Sequence, residues 1–270
     1  MIKFIRLFNI CMTCLLAVGC ATSPTGRQQL MLVSEDSAIA SSKTAYLGTV
    51  KELDDAGKIE DDWVINKRVK VITGLLITEA VKLRPETKDW EWSVVVIDDP
   101  EMVNAWCMAG GRMAIYTGLI KKVDPTDDEL AQVMAHEISH ALAKHTAEKM
   151  SMQIATSVGV AAVGIASDNT NVALTGAALT AMLAVNLPNS RAAEKEADRM
   201  GIELAARAGF DPAAAATLWQ KMNAVSKSGT PQFLSTHPAP SNRQEELARL
   251  EPEMRKYYDP KAEHTVYPLD

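Results

Sequence analysis

The chain is short of the residues that define several common protein classes. Of 270 residues only four are cysteine. Cys11, Cys14 and Cys20 fall at the very start, so a disulfide-stapled scaffold is excluded and Cys107 is left as a small hydrophobe for the core. Basic residues do not predominate either: 28 Lys and Arg stand against 34 Asp and Glu, a net charge of −6. Phosphate backbones need a basic patch and none is visible, so no nucleic-acid partner is expected. After the first 19 residues no apolar run reaches the roughly 20 residues that cross a bilayer. No Pro-, Gly- or Ser-rich linker divides the chain, and at 47% hydrophobic it can bury one sizeable core.

What is present begins with an export leader. In residues 1–19, Lys3 and Arg6 form a charged start, an apolar stretch runs to Val18, and small residues lead to Cys20. Leu16-Ala17-Val18-Gly19-Cys20 resembles a bacterial lipobox, with leucine one position further from the cysteine than usual. The expectation is a Cys20 that carries a diacylglycerol anchor. Ala21 stands where an aspartate would mark retention at the inner membrane, which implies the periplasmic face of the outer membrane. Residues 20–36 are polar and turn-rich and read as a tether, 37–258 as one catalytic domain, and 259–270 as an uninformative tail.

Periodicity supplies the scaffold. Helical spacing appears over residues 37–50 and strongly over 62–83, where Val64, Val69, Val71, Ile72, Leu75, Leu76 and Val81 are candidate core. Residues 92–98 and 112–117 read as short strands, the second following Gly110-Gly111. Two small-residue segments, 154–166 and 172–187, are each too short to span a membrane and suit a helical hairpin over a cleft, with interfacial lipid contact as the alternative. Further helices are expected up to Arg207, over 212–226 and over 241–256.

The chemistry concentrates in His136-Glu137-Ile138-Ser139-His140, within the run 127–150 read as one helix. Thr126, Asp127 and Asp128 supply an N-cap and first-turn acids, and Leu130, Val133, Met134, Ile138, Ala141 and Leu142 form an apolar stripe. Histidines four apart share one helix face and can grip one metal ion, while Glu137 is placed to move a proton. A third ligand must come from elsewhere. The metzincin extension would need a glycine at position 143 and a histidine at position 146, where the chain has Ala143 and Thr146. His145 lies nine positions from His136 and so, on a continuous helix, on the opposite face. The run SRAAEKEADRMG remains, where Glu194 and Asp198 are one turn apart; Glu196 lies about 200° around from Glu194 and reads as a solvated charge.

HEISH, EKEAD in that run, LSTHPAPSNR and NAWCMAGGRMAIYTGLI together resemble the gluzincin peptidases that include the CAAX prenyl endopeptidase, the mitochondrial Oma protease and bacterial periplasmic lipoprotein peptidases. The resemblance runs from about Val94 to Leu250. It implies an α+β, zincin-type, mostly helical domain with a small sheet beside the motif helix. It implies one zinc ion per chain held by His136, His140 and Glu194, Glu137 as proton shuttle, and Asp198 orienting a ligand histidine. His237 is then either a donor to the developing oxyanion or an occupant of zinc's fourth position, and Arg243 pairs with a carboxylate such as Asp198. Gly111, Arg112, Met113, Ala114 and Ile115 are expected as an edge strand that takes an extended peptide. The implied substrates are misfolded or stalled envelope proteins, with outer-membrane assembly machinery as a further partner. The other class to be carried is a client-binding chaperone or assembly factor with little proteolysis.

Overall fold

The computed structural model describes residues 20–166, 187–226, 232–237 and 242–269. The expected leader, residues 1–19, and most of the second hairpin arm, 172–186, lie outside the described residues.

The elements follow in the order β1 (Cys20–Thr22), β2 (Gln28–Leu30), α1 (Glu35–Asp55), α2 (Trp63–Leu83), β3 (Ser93–Ile97), β4 (Ala105–Met108), β5 (Arg112–Tyr116), α3 (Thr117–Val123), α4 (Asp127–Leu142), α5 (His145–Ala166), α6 (Leu187–Arg207), α7 (Ala214–Ser226), α8 (Gln232–Thr236) and α9 (Arg243–Met254). Helix α4 starts where the sequence says it should. Thr126 accepts from the Glu129 amide and Glu129 answers to the Thr126 amide, a complete capping box backed by Asp127 and Asp128 at the positive end of the helix dipole. Its apolar stripe meets α2, α6, α7 and β4, which makes α4 the axis of the core. Leu130, Met134 and Ile138 are fully buried there with Leu76 and Ile77 of α2 and Leu204 of α6.

Beside this axis lies the expected small sheet, in the order β3-β5-β4, with β3 and β5 parallel and β4 and β5 antiparallel. The strand expected at the edge is thus the central one. Both sides of β5 are taken by ladder partners, and Met113, Ala114 and Ile115 are fully buried. The strand that faces α4 at the sheet's edge is β4, whose residues AWCM are too short a run to signal a strand.

Other expectations also need correction. The polar segment after Cys20 is no free tether: β1 and β2 pair antiparallel, and Gln29 is buried with its amide on the Ala143 carbonyl at 2.8 Å. The tail returns along α2, where the Tyr267 amide donates to the Gly74 carbonyl at 3.0 Å. Val64 and Val71 are exposed, at 67% and 38%, because the buried face of α2 runs through Val69, Ile72, Leu76 and Ala80. The run 127–150 is two helices, not one. It breaks at Ala143-Lys144, where Lys144 takes φ +59°, a left-handed conformation that only sparsely suits a lysine.

Helices α4 and α6 approach at backbone distance. A Cβ added to Gly201 would lie 3.0 Å from both the Cα and N of His136. Alanine would ordinarily stabilise a helix interior by about 1 kcal/mol over glycine. Here the contact is with rigid backbone, so overpacking of about 1–3 kcal/mol wins. Gly201→Ala is expected to lower the thermal midpoint and to loosen the helix that carries His136; a raised midpoint would show that the approach can relax.

Candidate metal centre

Within α4, His136 and His140 share one face and Glu137 stands next to His136; His136 and Glu137 are buried and His140 partly so, with Glu194 of α6 and His237 brought against the two histidines. Across the helix pair, His136 Nε2 lies 3.3 Å and His140 Nε2 3.4 Å from the carboxylate oxygens of Glu194, and the two Nε2 atoms are 3.1 Å apart. Bonds of about 2.1 Å to a tetrahedral zinc ion set ligand atoms about 3.4 Å apart. The edges found here match that figure without rearrangement. His237 adds a fourth corner, its Nδ1 lying 3.3 Å from His136 Nε2 and 3.2 Å from Glu194 Oε1. A donor set of imidazole nitrogens and one carboxylate oxygen fits zinc, and His136, His140, Glu194 and His237 form the group that could hold it.

Behind the ligand atoms stands a ring of charge. Asp198 Oδ1 is 3.1 Å from His136 Nδ1 and accepts from Arg243 Nη2 at 2.5 Å. Arg243 Nη1 also reaches Glu194 at 3.3 Å, and the guanidinium lies 4.0 Å over the Trp219 ring. The structure therefore brings together Asp198 and Arg243 in the pairing the sequence suggested. Phe233 stacks on His237 with ring centroids 4.5 Å apart, and its amide is tied to the Val103 carbonyl just before β4. Pro238 and Pro240, in the quoted run LSTHPAPSNR, lie outside the described residues.

Burial drives the electrostatics. It pushes the Glu137 carboxyl up, against the opposing pull of His237 and His136. The same burial would raise Glu194, but hydrogen bonds from His136, His140 and His237 hold it far below the usual carboxylate range. For His136 burial opposes charging, yet the bonds to Asp198 and Glu194 outweigh it and raise the ring to about 9. His140, with burial and the neighbouring charge of His136 both against a proton, is lowered to about 3. Glu137 Oε1 is buried and has no hydrogen-bond partner, although His237 Nε2 is 3.3 Å away in poor alignment.

Two residues set aside on helical geometry belong to the site's surroundings. Because the helix breaks before it, His145 turns back so that its Nδ1 lies 2.8 Å from His140 Nδ1. Glu196 is only 5% exposed, not solvated, and sits 3.2 Å from His145 Nε2. Arg27 and Thr25, which bond Glu196 from the β1–β2 hairpin, had no signal in the sequence at all. Among the other expected residues, Cys20 is exposed at the start of β1, and the Gly111–Ile115 stretch is separated from the metal cluster by β4.

Zinc binds neutral imidazole, so loading the site at neutral pH must expel the proton that His136 holds up to about 9. Zinc affinity is expected to rise about tenfold per pH unit from pH 7 and to flatten near 9. The sign for the metal-free fold is the reverse: a raised histidine stabilises it fully below about 6.5, and that stabilisation is lost as pH passes through about 9. Chelator competition across this range checks the first expectation, and a flat profile would show that His136 is neutral before metal arrives.

Residues 66–251 match peptidase family M48. The chain is 32% identical over 244 residues to the bovine (Bos taurus) mitochondrial metalloendopeptidase OMA1, covering 86% of this chain and 46% of that protein. It is 31% identical over 193 residues to the mitochondrial metalloendopeptidase OMA1 of Arabidopsis thaliana, covering 71% of this chain and 37% of that protein. The beta-barrel assembly-enhancing protease of Escherichia coli (strain K12) is 33% identical over 150 residues, covering 52% of this chain and 31% of that protein. The chain thus spans about half, or less, of the length of the curated relatives it matches. With the histidine pair, Glu194 and the two helices that carry them inside the matched region, the chain belongs to peptidase family M48.

Proposed function

We propose that this chain is a zinc-dependent endopeptidase of the bacterial envelope, anchored by lipid at Cys20 to the periplasmic face of the outer membrane. The observation that carries the catalytic part is Glu137: a buried carboxylate next to the ligand cluster, with one oxygen unbonded and a raised proton affinity. A purely structural zinc site has no use for such a group, which would cost stability without a partner. When bound, zinc supplies Lewis acidity toward a peptide carbonyl and acidifies water. Glu137 takes the proton at Oε1 and returns it to the leaving amine nitrogen, a role its upward shift suits. His136 is held in one orientation by Asp198, and Arg243 fixes Asp198 in turn.

An extended peptide would add to β4, the edge strand packed on α4, and not to β5. Main-chain pairing of that kind gives affinity with little sequence preference, which suits unfolded or misfolded envelope proteins as substrates. The name of the E. coli relative, beta-barrel assembly-enhancing protease, supports the envelope setting and outer-membrane assembly machinery as a partner. The anchor rests on the lipobox-like start and on the exposed Cys20.

Glu137→Gln keeps the shape and the ligands and removes the base. It is expected to retain zinc and to cut an unfolded protein at least about 10²-fold more slowly than the parent chain. Undiminished cleavage by this variant would sink the endopeptidase reading.

The position of His237 favours a resting enzyme with its fourth corner filled. Its Nδ1 sits among the ligand atoms, while Phe233 beneath it is tied to the segment just before β4. A peptide arriving at β4 would meet that tie and draw the histidine away. His237→Ala is expected to raise the rate of cleavage under limiting substrate; a fall would assign His237 to the oxyanion instead.

A further inference from the structure

We infer that His145 is a positioning residue for the metal site, the middle member of a buried relay that fixes His140 and ends on the N-terminal hairpin. The inference rests on the metal reading of His136, His140 and Glu194, and it concerns a residue that lies outside that ligand set.

The hydrogen-bond chemistry permits one arrangement of protons. If His140 Nε2 faces the metal with its lone pair, a neutral ring must carry its hydrogen on Nδ1. The atom facing that hydrogen, 2.8 Å away, is His145 Nδ1, which must therefore accept. His145 then carries its own hydrogen on Nε2, and the group 3.2 Å beyond is the Glu196 carboxylate, an acceptor only. Glu196 receives in addition Thr25 Oγ1 at 2.6 Å and Arg27 Nε at 2.8 Å. Arg27 closes the chain by a two-pronged contact with Glu148, both bonds 2.6 Å long, and the Gln29 amide joins that carboxylate at 2.9 Å. Every donor along the path meets an acceptor, and the path runs unbroken from the ligand histidine to the hairpin.

The relay is the counterpart of the short one on His136. There a carboxylate, Asp198, touches the ligand ring directly. At His140 the group on Nδ1 is an imidazole, interposed to carry the same influence from Glu196. The backbone explains how it gets there. The left-handed Lys144 ends α4 and restarts the chain as α5, which swings His145 back beside the helix it has just left. The residues are packed as a built site: His145 is 8% exposed, Glu148 6% and Glu196 5%. A carboxylate pulling through His145 makes His140 a stronger ligand and holds its ring in one rotamer.

The test measures zinc affinity of the full chain in detergent by competition with a chromogenic chelator, together with the visible absorption of the Co²⁺ form. His145→Phe keeps the bulk and removes both ring nitrogens; it is expected to fold, by circular dichroism, and to bind zinc about 10–100-fold more weakly with a changed Co²⁺ band. His145→Gln offers an acceptor and a donor on one planar group and is expected to recover most of the loss. Should the phenylalanine variant not fold, Glu196→Gln, nearly isosteric, is expected to weaken zinc binding in the same direction. Parent-like affinity and spectrum in His145→Phe, or in Glu196→Gln if the former is unfolded, overturns the relay. Equal loss in the phenylalanine and glutamine variants would also overturn it, since packing alone would then account for the effect. Retention of zinc by His140→Ala would instead overturn the ligand assignment, an outcome separable from the behaviour of His145.

Discussion

The structure depends on keeping one carboxylate, Glu194, out of water among three imidazoles. An isolated buried carboxylate costs several kcal/mol even after the protein relaxes around it. Glu194 is tolerated because nitrogen atoms crowd it from His136, His140 and His237, with Arg243 alongside. That crowding requires α4 and α6 to lie almost backbone to backbone. Gly201 on α6 makes the distance attainable, since its bare Cα faces the His136 backbone. The rest of the core serves that pair: α2 and α7 pack on α4 from other sides, and α9 delivers Arg243 under the ligands.

Local chemistry is legible because its geometry is local. The spacing of His136 and His140 fixes their common face, and one turn of α6 fixes where Asp198 stands relative to Glu194, whatever else the chain does. Thr126 and Glu129 likewise announce the start of α4 through bonds that span only three residues. Geometry that assumes a continuous helix does not survive. It puts His145 on the wrong side because no glycine or proline marks the end of α4, and Lys144 adopts the left-handed conformation without the residue type that usually predicts it. Glu196 reads as solvated because its partners come from Thr25 and Arg27, some 170 positions earlier in the chain.

The sheet shows the same division between period and pairing. Alternation identifies the stretch 112–117 as a strand, but period says nothing about which strands flank it. The continuous burial of Met113, Ala114 and Ile115 is the available clue, since a strand enclosed by two neighbours and a helix layer reads as an unbroken apolar run. Its partner β4 has four residues, below the length at which any periodic signal emerges. The stretch is therefore legible as a strand, while its place in the sheet is off by one.

The two ligand histidines end up braced from opposite ends of the chain. His136 leans on Asp198 and through it on Arg243, which α9 supplies from near the C-terminus. His140 leans on His145, Glu196 and then Arg27, which the N-terminal hairpin supplies. An exposed ion pair between Arg27 and a glutamate would be worth little, but Glu196 and Glu148 are buried, so loss of Arg27 would strand two carboxylates out of water. The hairpin is thus held down by the same charges that it neutralises. Since Arg27 lies in the turn between β1, which Cys20 begins, and β2, a pull applied at Cys20 would bear on the wall of the metal site before it reached the hydrophobic core. The N-terminal hairpin is in this sense part of the site's scaffold.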